Sequence, residues 1–193
     1  MLPQYIVDWV KIAEGGLSDH PNDSGQLTNF GISTPLFNKV KKRYENLSSY
    51  KTVEEISFDD AIFIYEEAFW KPYSLMKYKF PYDLLLFDSY IQHRPRIVGK
   101  LFQRSLNEFF KLINKNIEPL VVDGIIGPKT YQTYQVLEVY SRIDSKLAFT
   151  YEMIHQRTSL YSRIVIVNKK NRVFLLGWIN RLLNLSEFIK ERL

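Results

Sequence analysis

A segment rich in turn-forming residues interrupts the chain near its N-terminus and constrains the fold more than any other feature. Residues 14–33 read EGGLSDHPNDSGQLTNFGIS, in which glycine, proline, serine, asparagine and aspartate crowd together. Glycine tolerates positive φ angles, and proline and Asx residues favour turns. The residues before it carry apolar side chains at helical spacing and end at Glu14. We therefore predict a helix over residues 3–14 that ends at Glu14, followed by a loop or small β-hairpin over residues 17–33.

Carboxylate and hydroxyl side chains gather in this segment, at Glu14, Asp19, Asp23 and Thr28. A carboxylate at a rigid helix end that faces carboxylates on a polar loop is one way to hold an acid and a base across a cleft. Solvated surface carboxylates and aspartates that cap turns are the simpler interpretation of the same residues. The residue types alone leave both interpretations open.

Apolar residues at a spacing of three to four predict further helices along the chain. One is expected to begin with Thr34 as the N-cap and Pro35 in the first turn. Another follows Ser57-Phe58-Asp59-Asp60, which has the form of a capping box. The second of these covers residues 58–70. The remaining helical patterns cover residues 82–93, 97–113, 143–161 and 172–183, a helix beginning at Pro128, and a short terminal helix over 186–193. The sequence therefore predicts a mainly α protein.

The turn-rich segment resembles the signature of a known enzyme family. The residues that carry the resemblance are Glu14-Gly15-Gly16, Pro21, Asp23, Gly25, Thr28 and Gly31-Ile32-Ser33. They look like the pattern of glycoside hydrolase family 108, whose members are peptidoglycan muramidases found as phage endolysins and as secretion-associated lysozymes. The family normally has two glycines where this chain keeps only Gly25.

Further blocks extend the resemblance over nearly the whole chain. Residues 123–130, DGIIGPKT, look like the hallmark of peptidoglycan-binding modules, and residues 177–181 resemble a block near the C-terminus of the family. The largest departure is at residues 90–94, YIQHR, where the family has small residues followed by Asn-Ser-Gly. The resemblance implies a lysozyme-like helical fold with a small β-hairpin next to the catalytic Glu. It also implies a hydrolase region over residues 1–93 and a helical peptidoglycan-binding region over residues 94–193.

The resemblance assigns roles to the polar residues. Cleavage of a β-1,4 glycosidic bond uses one carboxyl group that protonates the leaving oxygen and another that attacks or activates water. Glu14 is the candidate acid and needs a partly desolvated position, Asp23 is the candidate base, and Thr28 helps to hold the attacking water. This arrangement is similar to that of phage-type lysozymes and implies inversion of the anomeric centre. Asp19 is the weaker candidate for the base. The candidate substrate contacts are Asp19, Asn29, Trp70 and Gln92, and neither a metal nor a cofactor is expected.

Three other residues have competing interpretations. Asp88 lies inside an apolar helical pattern, and we interpret it as a buried structural carboxylate rather than a catalytic one. Trp70 either packs in the core, which we favour, or stacks on a sugar ring with its indole face. His93 has no partner His or Cys at metal-ligand spacing, so a metal-binding role is not expected.

Composition narrows the remaining classes of function. The chain has 193 residues, of which 46% are hydrophobic and 15% aromatic, and a net charge of +5, as in a globular protein that favours anionic partners weakly. It contains no cysteine, which excludes disulfides and thiolate chemistry. The basic runs at residues 39–43 and 169–172 are not interleaved with aromatic residues, so nucleic-acid binding is not expected. Neither a signal peptide nor a membrane-spanning run is visible, which predicts synthesis in the cytoplasm and no stable membrane insertion.

The expected partner is therefore the glycan strand of peptidoglycan, bound by a monomer in the periplasm or cell wall after release through a holin or a secretion system. An inactive peptidoglycan-binding or secretion-accessory protein is the first alternative, and only the altered residues 90–94 favour it. A basic nucleic-acid-binding protein is the second, and a steep salt dependence of binding would identify it. The sequence does not distinguish phage lysis from toxin export.

Overall fold

α-Helices make up most of the described part of the chain. The computed structural model describes residues 1–14 and 27–193. Its internal contacts divide the chain into a first unit, residues 1–77, and a second unit, residues 78–193. Among the described residues, β-structure is limited to a two-stranded antiparallel sheet in the first unit. The predicted mainly α class with a small hairpin is confirmed.

The first unit joins the hairpin to three helices. These elements are α1 (Gln4–Ala13), β1 (Thr28–Asn29), β2 (Ile32–Ser33), α2 (Thr34–Lys41) and α3 (Phe58–Tyr65), and α3 continues into a π-helical turn over Glu66–Trp70. The capping box predicted for α3 is present, because Ser57 Oγ accepts from Asp60 N and Asp60 Oδ2 accepts from Ser57 N. The three helices and β2 bury apolar side chains, including Ile6, Trp9, Val10, Ile32, Phe37 and Ile64.

The start of α2 differs from the prediction by one residue. The N-cap is Ser33, whose hydroxyl accepts from Leu36 N, and not Thr34. Thr34 already belongs to the helix and uses both its N–H and its hydroxyl to donate to Leu27 O, at 3.1 and 3.0 Å. Those two bonds join the start of α2 to the start of the hairpin, which explains why Thr34 is not free to cap.

The second unit is built from five helices of the described chain: α4 (Tyr82–Gln92), α5 (Pro95–Leu112), α6 (Pro128–Val139), α7 (Ile143–Val167) and α8 (Arg172–Lys190). The helix α7 packs against α5, α8 and α4. Aromatic rings with centroids 4.7–6.3 Å apart fill the core between these helices, in the range that aromatic pairs prefer. They belong to Tyr78, Tyr82, Phe102, Tyr134 and Phe149.

The C-terminal helix is longer than predicted. One continuous helix, α8, replaces the expected pair of helices at residues 172–183 and 186–193, and Ser186 lies inside it and caps nothing. Its buried residues Leu182, Leu185, Phe188 and Ile189 recur at helical spacing across the predicted break. Continuous burial on one face therefore carries the helix through Ser186.

The DGIIGPKT segment builds a turn between α5 and α6, as predicted, and Pro128 begins α6. Gly124 has a φ of 87°, and a Cβ on Gly99 of α5 would lie 2.1 Å from Gly124 O. The buried side chain of Gln103 joins helix and turn, donating to Asp123 Oδ1 at 2.8 Å and accepting from Gly124 N at 2.8 Å. These contacts assign the segment a structural role.

The position of α4 bears on how the chain is organised. Every residue from Tyr82 to Tyr90 is buried, and the contacts of this helix place it in the second unit. The boundary between a hydrolase region and a peptidoglycan-binding region at residues 93 and 94 stays a prediction. In the structure, α4 belongs to the same unit as the helices that follow it. In residues 1–14 and 27–193, no helix is both long and apolar enough to span a bilayer.

Candidate functional site

The β-hairpin of the first unit turns at Phe30 and Gly31. The strands pair Thr28 with Ser33 and Asn29 with Ile32, which leaves a two-residue loop. Phe30 has a φ of 49° and Gly31 a φ of 72°. Two successive positive φ angles in a two-residue loop are the geometry of a type I′ hairpin, which requires glycine or a residue that tolerates the left-handed region. The turn is therefore a defined and tightly constrained piece of backbone.

Side chains fix this hairpin to the rest of the first unit. The amide Nδ2 of Asn29, which is 7% exposed, lies within 3.2–3.4 Å of the carbonyl oxygens of Val53, Glu54 and Ile56. The ring of Phe30 meets the ring of Phe58 edge to face, with centroids 5.6 Å apart. The hairpin therefore offers a rigid support for a functional group placed against it.

Glu14, the candidate acid, lies against this support. Its N–H donates to Val10 O at 2.9 Å and closes α1, as the sequence predicts. Its carboxyl group reaches the hairpin turn, because a Cβ on Gly31 would lie 2.2 Å from Glu14 Oε2 and 2.6 Å from Glu14 Cδ. The Oε1 atom of Glu14 is buried. The carboxyl group thus occupies the space that the missing side chain of Gly31 leaves open.

Tyr65, the last residue of α3, borders the same space. Its side chain is fully buried, and its hydroxyl donates to Phe30 O at 3.0 Å. The hydroxyl oxygen also lies 2.5 Å from the position that a Cβ on Gly31 would take. Tyr65 falls inside the helical pattern over residues 58–70, at the spacing of a core residue, and the sequence did not identify it as a site residue. That spacing carries no information about a turn 35 residues earlier.

The other predicted catalytic residues are described only in part. Thr28 lies on β1, is half-buried, and stands three residues before the glycine that contacts Glu14. The structure therefore brings Glu14 to the hairpin that carries Thr28. Asp19 and Asp23 lie outside the described residues. The distance between the Glu14 and Asp23 carboxyl groups, which would indicate inversion or retention, stays a matter for experiment.

The predicted substrate contacts occupy varied positions. Asn29 directs its amide to the backbone of residues 53–56, as described above, which gives it a structural task. Trp70 is 4% exposed, so little of its indole is open to a sugar, and this placement agrees with the core interpretation that the sequence favoured. Gln92 is the half-buried last residue of α4 in the second unit. Contact of any of them with substrate stays a prediction.

Asp88 of α4 forms the buried centre of a charge network in the second unit, as its structural interpretation requires. Asp88 is fully buried; Oδ2 accepts from Arg157 Nη1 at 2.6 Å and Oδ1 accepts from Arg181 Nε at 2.9 Å. Burial by itself raises the pKa of Asp88, but the guanidinium groups of Arg181 and Arg157 outweigh it and hold the pKa well below its usual range. The carboxylate is therefore ionised near neutral pH, which suits a structural ion pair and not a proton donor.

His93 lies beside this network and is kept neutral. Its ring centroid is 5.5 Å from that of Tyr161, whose hydroxyl accepts from Arg157 Nη2 at 3.2 Å. Burial, followed by the positive charge of Arg157, lowers the pKa of His93 to about 4, although the negative charge of Asp88 acts in the opposite direction. His93 is thus part of the packing around the ion pairs.

A groove on the second unit runs between α5 and α7. Its volume is about 650 Å³. Tyr151 lies at the edge of the groove with about half of its side chain exposed. Both acidic and basic side chains line the groove. The residues that line it include Glu108, Lys111, Tyr151, Glu152 and His155. An exposed aromatic ring among hydrogen-bonding groups is a surface suited to a sugar.

Two successive parts of the chain match known protein families. Residues 7–93 match the family described as Glycosyl hydrolase 108, and residues 99–183 match the family described as Predicted Peptidoglycan domain. Among solved structures, the fold is similar to that of SagA from Brucella abortus, with a TM-score of 0.64 and 21% identity over 96% of this chain and 88% of that chain. No curated protein matches the chain significantly. At that identity the likeness to SagA concerns the fold.

Proposed function

We propose that the chain is an N-acetylmuramidase of glycoside hydrolase family 108, because residues 7–93 match that family and residues 99–183 match a predicted peptidoglycan domain. It hydrolyses the β-1,4 bond between N-acetylmuramic acid and N-acetylglucosamine in peptidoglycan. The observation that carries the proposal is the Glu14 carboxyl group, held against the hairpin turn with one oxygen buried. A proton donor that is both fixed in place and partly shielded from water suits protonation of a glycosidic oxygen.

The roles of the individual residues follow from the chemistry of glycoside hydrolysis. Glu14 donates a proton to the leaving oxygen, Asp23 removes a proton from the attacking water, and Thr28 holds that water. The anomeric centre is then inverted, because the water attacks from the face opposite to the acid. Asp19 is the substitute for Asp23 if the base lies elsewhere in the same segment. The reaction uses no metal and no cofactor in this scheme.

The second unit positions the substrate. We propose that the groove between α5 and α7 holds a glycan strand, with the half-exposed ring of Tyr151 stacked on a sugar. Tyr151→Ala should then weaken sedimentation with purified sacculi. Lys190→Ala, on another helix, serves as the matched surface control. Equal sedimentation of both variants and the wild type would place the wall-contact surface elsewhere.

The reaction is tested with purified Gram-negative sacculi. Glu14→Gln should abolish release of soluble fragments with little effect on the fold, and Glu54→Gln, which changes an exposed carboxyl group of the same unit, should release them normally. Asp23→Asn and Asp19→Asn separate the two candidate bases. Proton NMR of the first product formed should show that the anomeric centre is inverted. A product with retained configuration would indicate that the second carboxylate acts as a nucleophile and not as a base that activates water.

The site of action proposed here is the bacterial cell wall, reached by holin-dependent or secretion-dependent release and by a monomeric protein. An inactive wall-binding or secretion-accessory protein is the competing proposal, and the altered residues 90–94 favour it. Two of these residues pack inside the second unit, since Tyr90 is 7% exposed and the ring of His93 contacts that of Tyr161 at a tilt of 45°. Sedimentation of wild type and Glu14→Gln with sacculi, with no fragments released by either, would favour that competing proposal.

A further inference from the structure

The hairpin turn lacks a side chain at the point where Glu14 and Tyr65 meet. A Cβ built on Gly31 would lie 2.2 Å from Glu14 Oε2 and 2.5 Å from the hydroxyl oxygen of Tyr65. Both distances are far below van der Waals contact, so this space is already filled by the two side chains. Gly31 is therefore required twice, once for its φ of 72° and once for the room it gives to the carboxyl group.

The same two distances limit how far the carboxyl and hydroxyl oxygens are from each other. Because both atoms lie close to one point, Glu14 Oε2 and the Tyr65 hydroxyl oxygen are separated by at most about 4.7 Å. The tyrosine hydroxyl beside the carboxyl group can both donate and accept a hydrogen bond. The two oxygens therefore lie close enough for the tyrosine to fix the position of the carboxyl group.

Tyr65 is held more firmly than Glu14. Its side chain is completely buried, its ring packs on that of Phe69 with centroids 6.0 Å apart, and its hydroxyl donates to Phe30 O in the turn. Glu14, in contrast, is only half-buried at the end of α1. The rigid partner in the contact is therefore the tyrosine, and the group whose position depends on the contact is the carboxyl.

We propose that Tyr65 is a positioning residue for the proton donor: with Gly31 it forms a cradle that holds the Glu14 carboxyl group at the hairpin turn. The inference rests on the proposed function, in which Glu14 is the acid. Tyr65 does not exchange a proton with substrate in this proposal. It fixes where the Glu14 carboxyl group stands, and through Phe30 O it fixes the turn against which that group packs.

The test compares two Tyr→Phe variants that each lose one hydroxyl in the first unit. Tyr65→Phe removes the hydroxyl at the cradle. Tyr50→Phe is the matched control, since the Tyr50 hydroxyl donates to Asp60 Oδ2 at 2.7 Å at the start of α3. The kcat and KM of both are measured on soluble peptidoglycan glycan fragments. Gly31→Ala is a second variant, because its added Cβ meets the ends of the Glu14 and Tyr65 side chains; circular dichroism of this variant checks that the turn tolerates alanine at a positive φ.

Misplacement of a catalytic group by about 1 Å lowers turnover by about 100-fold, and loss of one support is expected to cost about 10- to 100-fold. We therefore expect Tyr65→Phe and Gly31→Ala to lower kcat in this range with KM changed by less than about twofold, and Tyr50→Phe to keep the wild-type kcat. A second measurement does not need activity. In protein labelled with ¹³C in the glutamate carboxyl groups, the titration midpoint of Glu14 should move in Tyr65→Phe and stay in place in Tyr50→Phe.

The two measurements separate the two ideas. If wild type is active and Glu14→Gln is not, but Tyr65→Phe matches Tyr50→Phe in kcat and in the Glu14 titration, the cradle is refuted and the muramidase proposal stands. If wild type shows no hydrolysis, the muramidase proposal fails. The titration then tests the cradle without activity. A Glu14 midpoint that moves only in Tyr65→Phe supports the cradle, and a Glu14 midpoint that is unchanged in Tyr65→Phe overturns it.

Discussion

Replacing Asp88 by Asn should strongly destabilise the second unit. The substitution keeps the size and shape of the side chain and removes one negative charge from between two guanidinium groups. Arg157 and Arg181 have side chains that are 1% and 12% exposed, and they contact Asp88 at 2.6–2.9 Å. Removing one partner of a buried ion pair typically costs about 3–5 kcal/mol, because the remaining charge stays desolvated. Asn keeps an acceptor oxygen, so we expect about 3 kcal/mol.

Urea unfolding followed by circular dichroism at pH 7 measures this cost. With an m-value of about 2 kcal/mol/M, a loss of about 3 kcal/mol lowers the unfolding midpoint by about 1.5 M without a change in m. Asp144→Asn is the control, because Asp144 is exposed in the first turn of α7 and its loss should cost at most about 1 kcal/mol. A midpoint for Asp88→Asn within about 0.3 M of the control would refute the reasoning.

Three further predictions address the second unit. Because the folded-state pKa of His93 is about 4 and that of an unfolded histidine about 6.5, the unfolded chain takes up the proton first as pH falls. The free energy of unfolding should therefore fall by roughly 3 kcal/mol as the pH falls from 6.5 to 4. His93→Gln should reduce this dependence on pH in urea unfolding experiments, and an unchanged dependence would contradict the prediction. A chain of residues 1–94 should be poorly soluble, since it exposes the buried helix α4, and a soluble fragment with full activity would contradict this. Gly99→Ala should cost at least about 2 kcal/mol, because its Cβ meets Gly124 O, whereas Gly177→Ala, which meets nothing within 4 Å, should be neutral or stabilising by thermal melting. Equal melting temperatures would contradict the close packing of α5 on the turn.

Local patterns account for the part of the fold that the sequence predicted. Apolar spacing located the helices, the Ser57 capping box marked the start of α3, and Pro128 marked the start of α6. The end of α1 at Glu14 and the hairpin that follows were predicted because glycine and Asx residues report on the local backbone. Where a local signal competed with a tertiary contact, the prediction was wrong: Thr34 bonds to Leu27 O, so Ser33 caps α2 instead.

The parts of the site that depend on distant residues were not predicted. Tyr65 has the spacing of a core residue of α3, and its contact with the turn at Phe30 depends on how α3 meets the hairpin. The two arginines that pair with Asp88 follow it by 69 and 93 residues, and nothing in their local sequence indicates that Asp88 is their partner. A carboxylate predicted to be buried requires a positively charged or hydrogen-bonding partner. Which residue supplies that partner depends on how the helices pack.

The central claim is tested most directly by mass spectrometry of the soluble fragments that purified sacculi release with wild type and with Glu14→Gln. We expect muropeptides with a reducing N-acetylmuramic acid end, made by the wild type and absent with Glu14→Gln. Fragments with a reducing N-acetylglucosamine end would keep a glycosidase but move the cut to the other bond. Muramic acid ends released equally by both proteins would contradict the assignment of Glu14 as the acid.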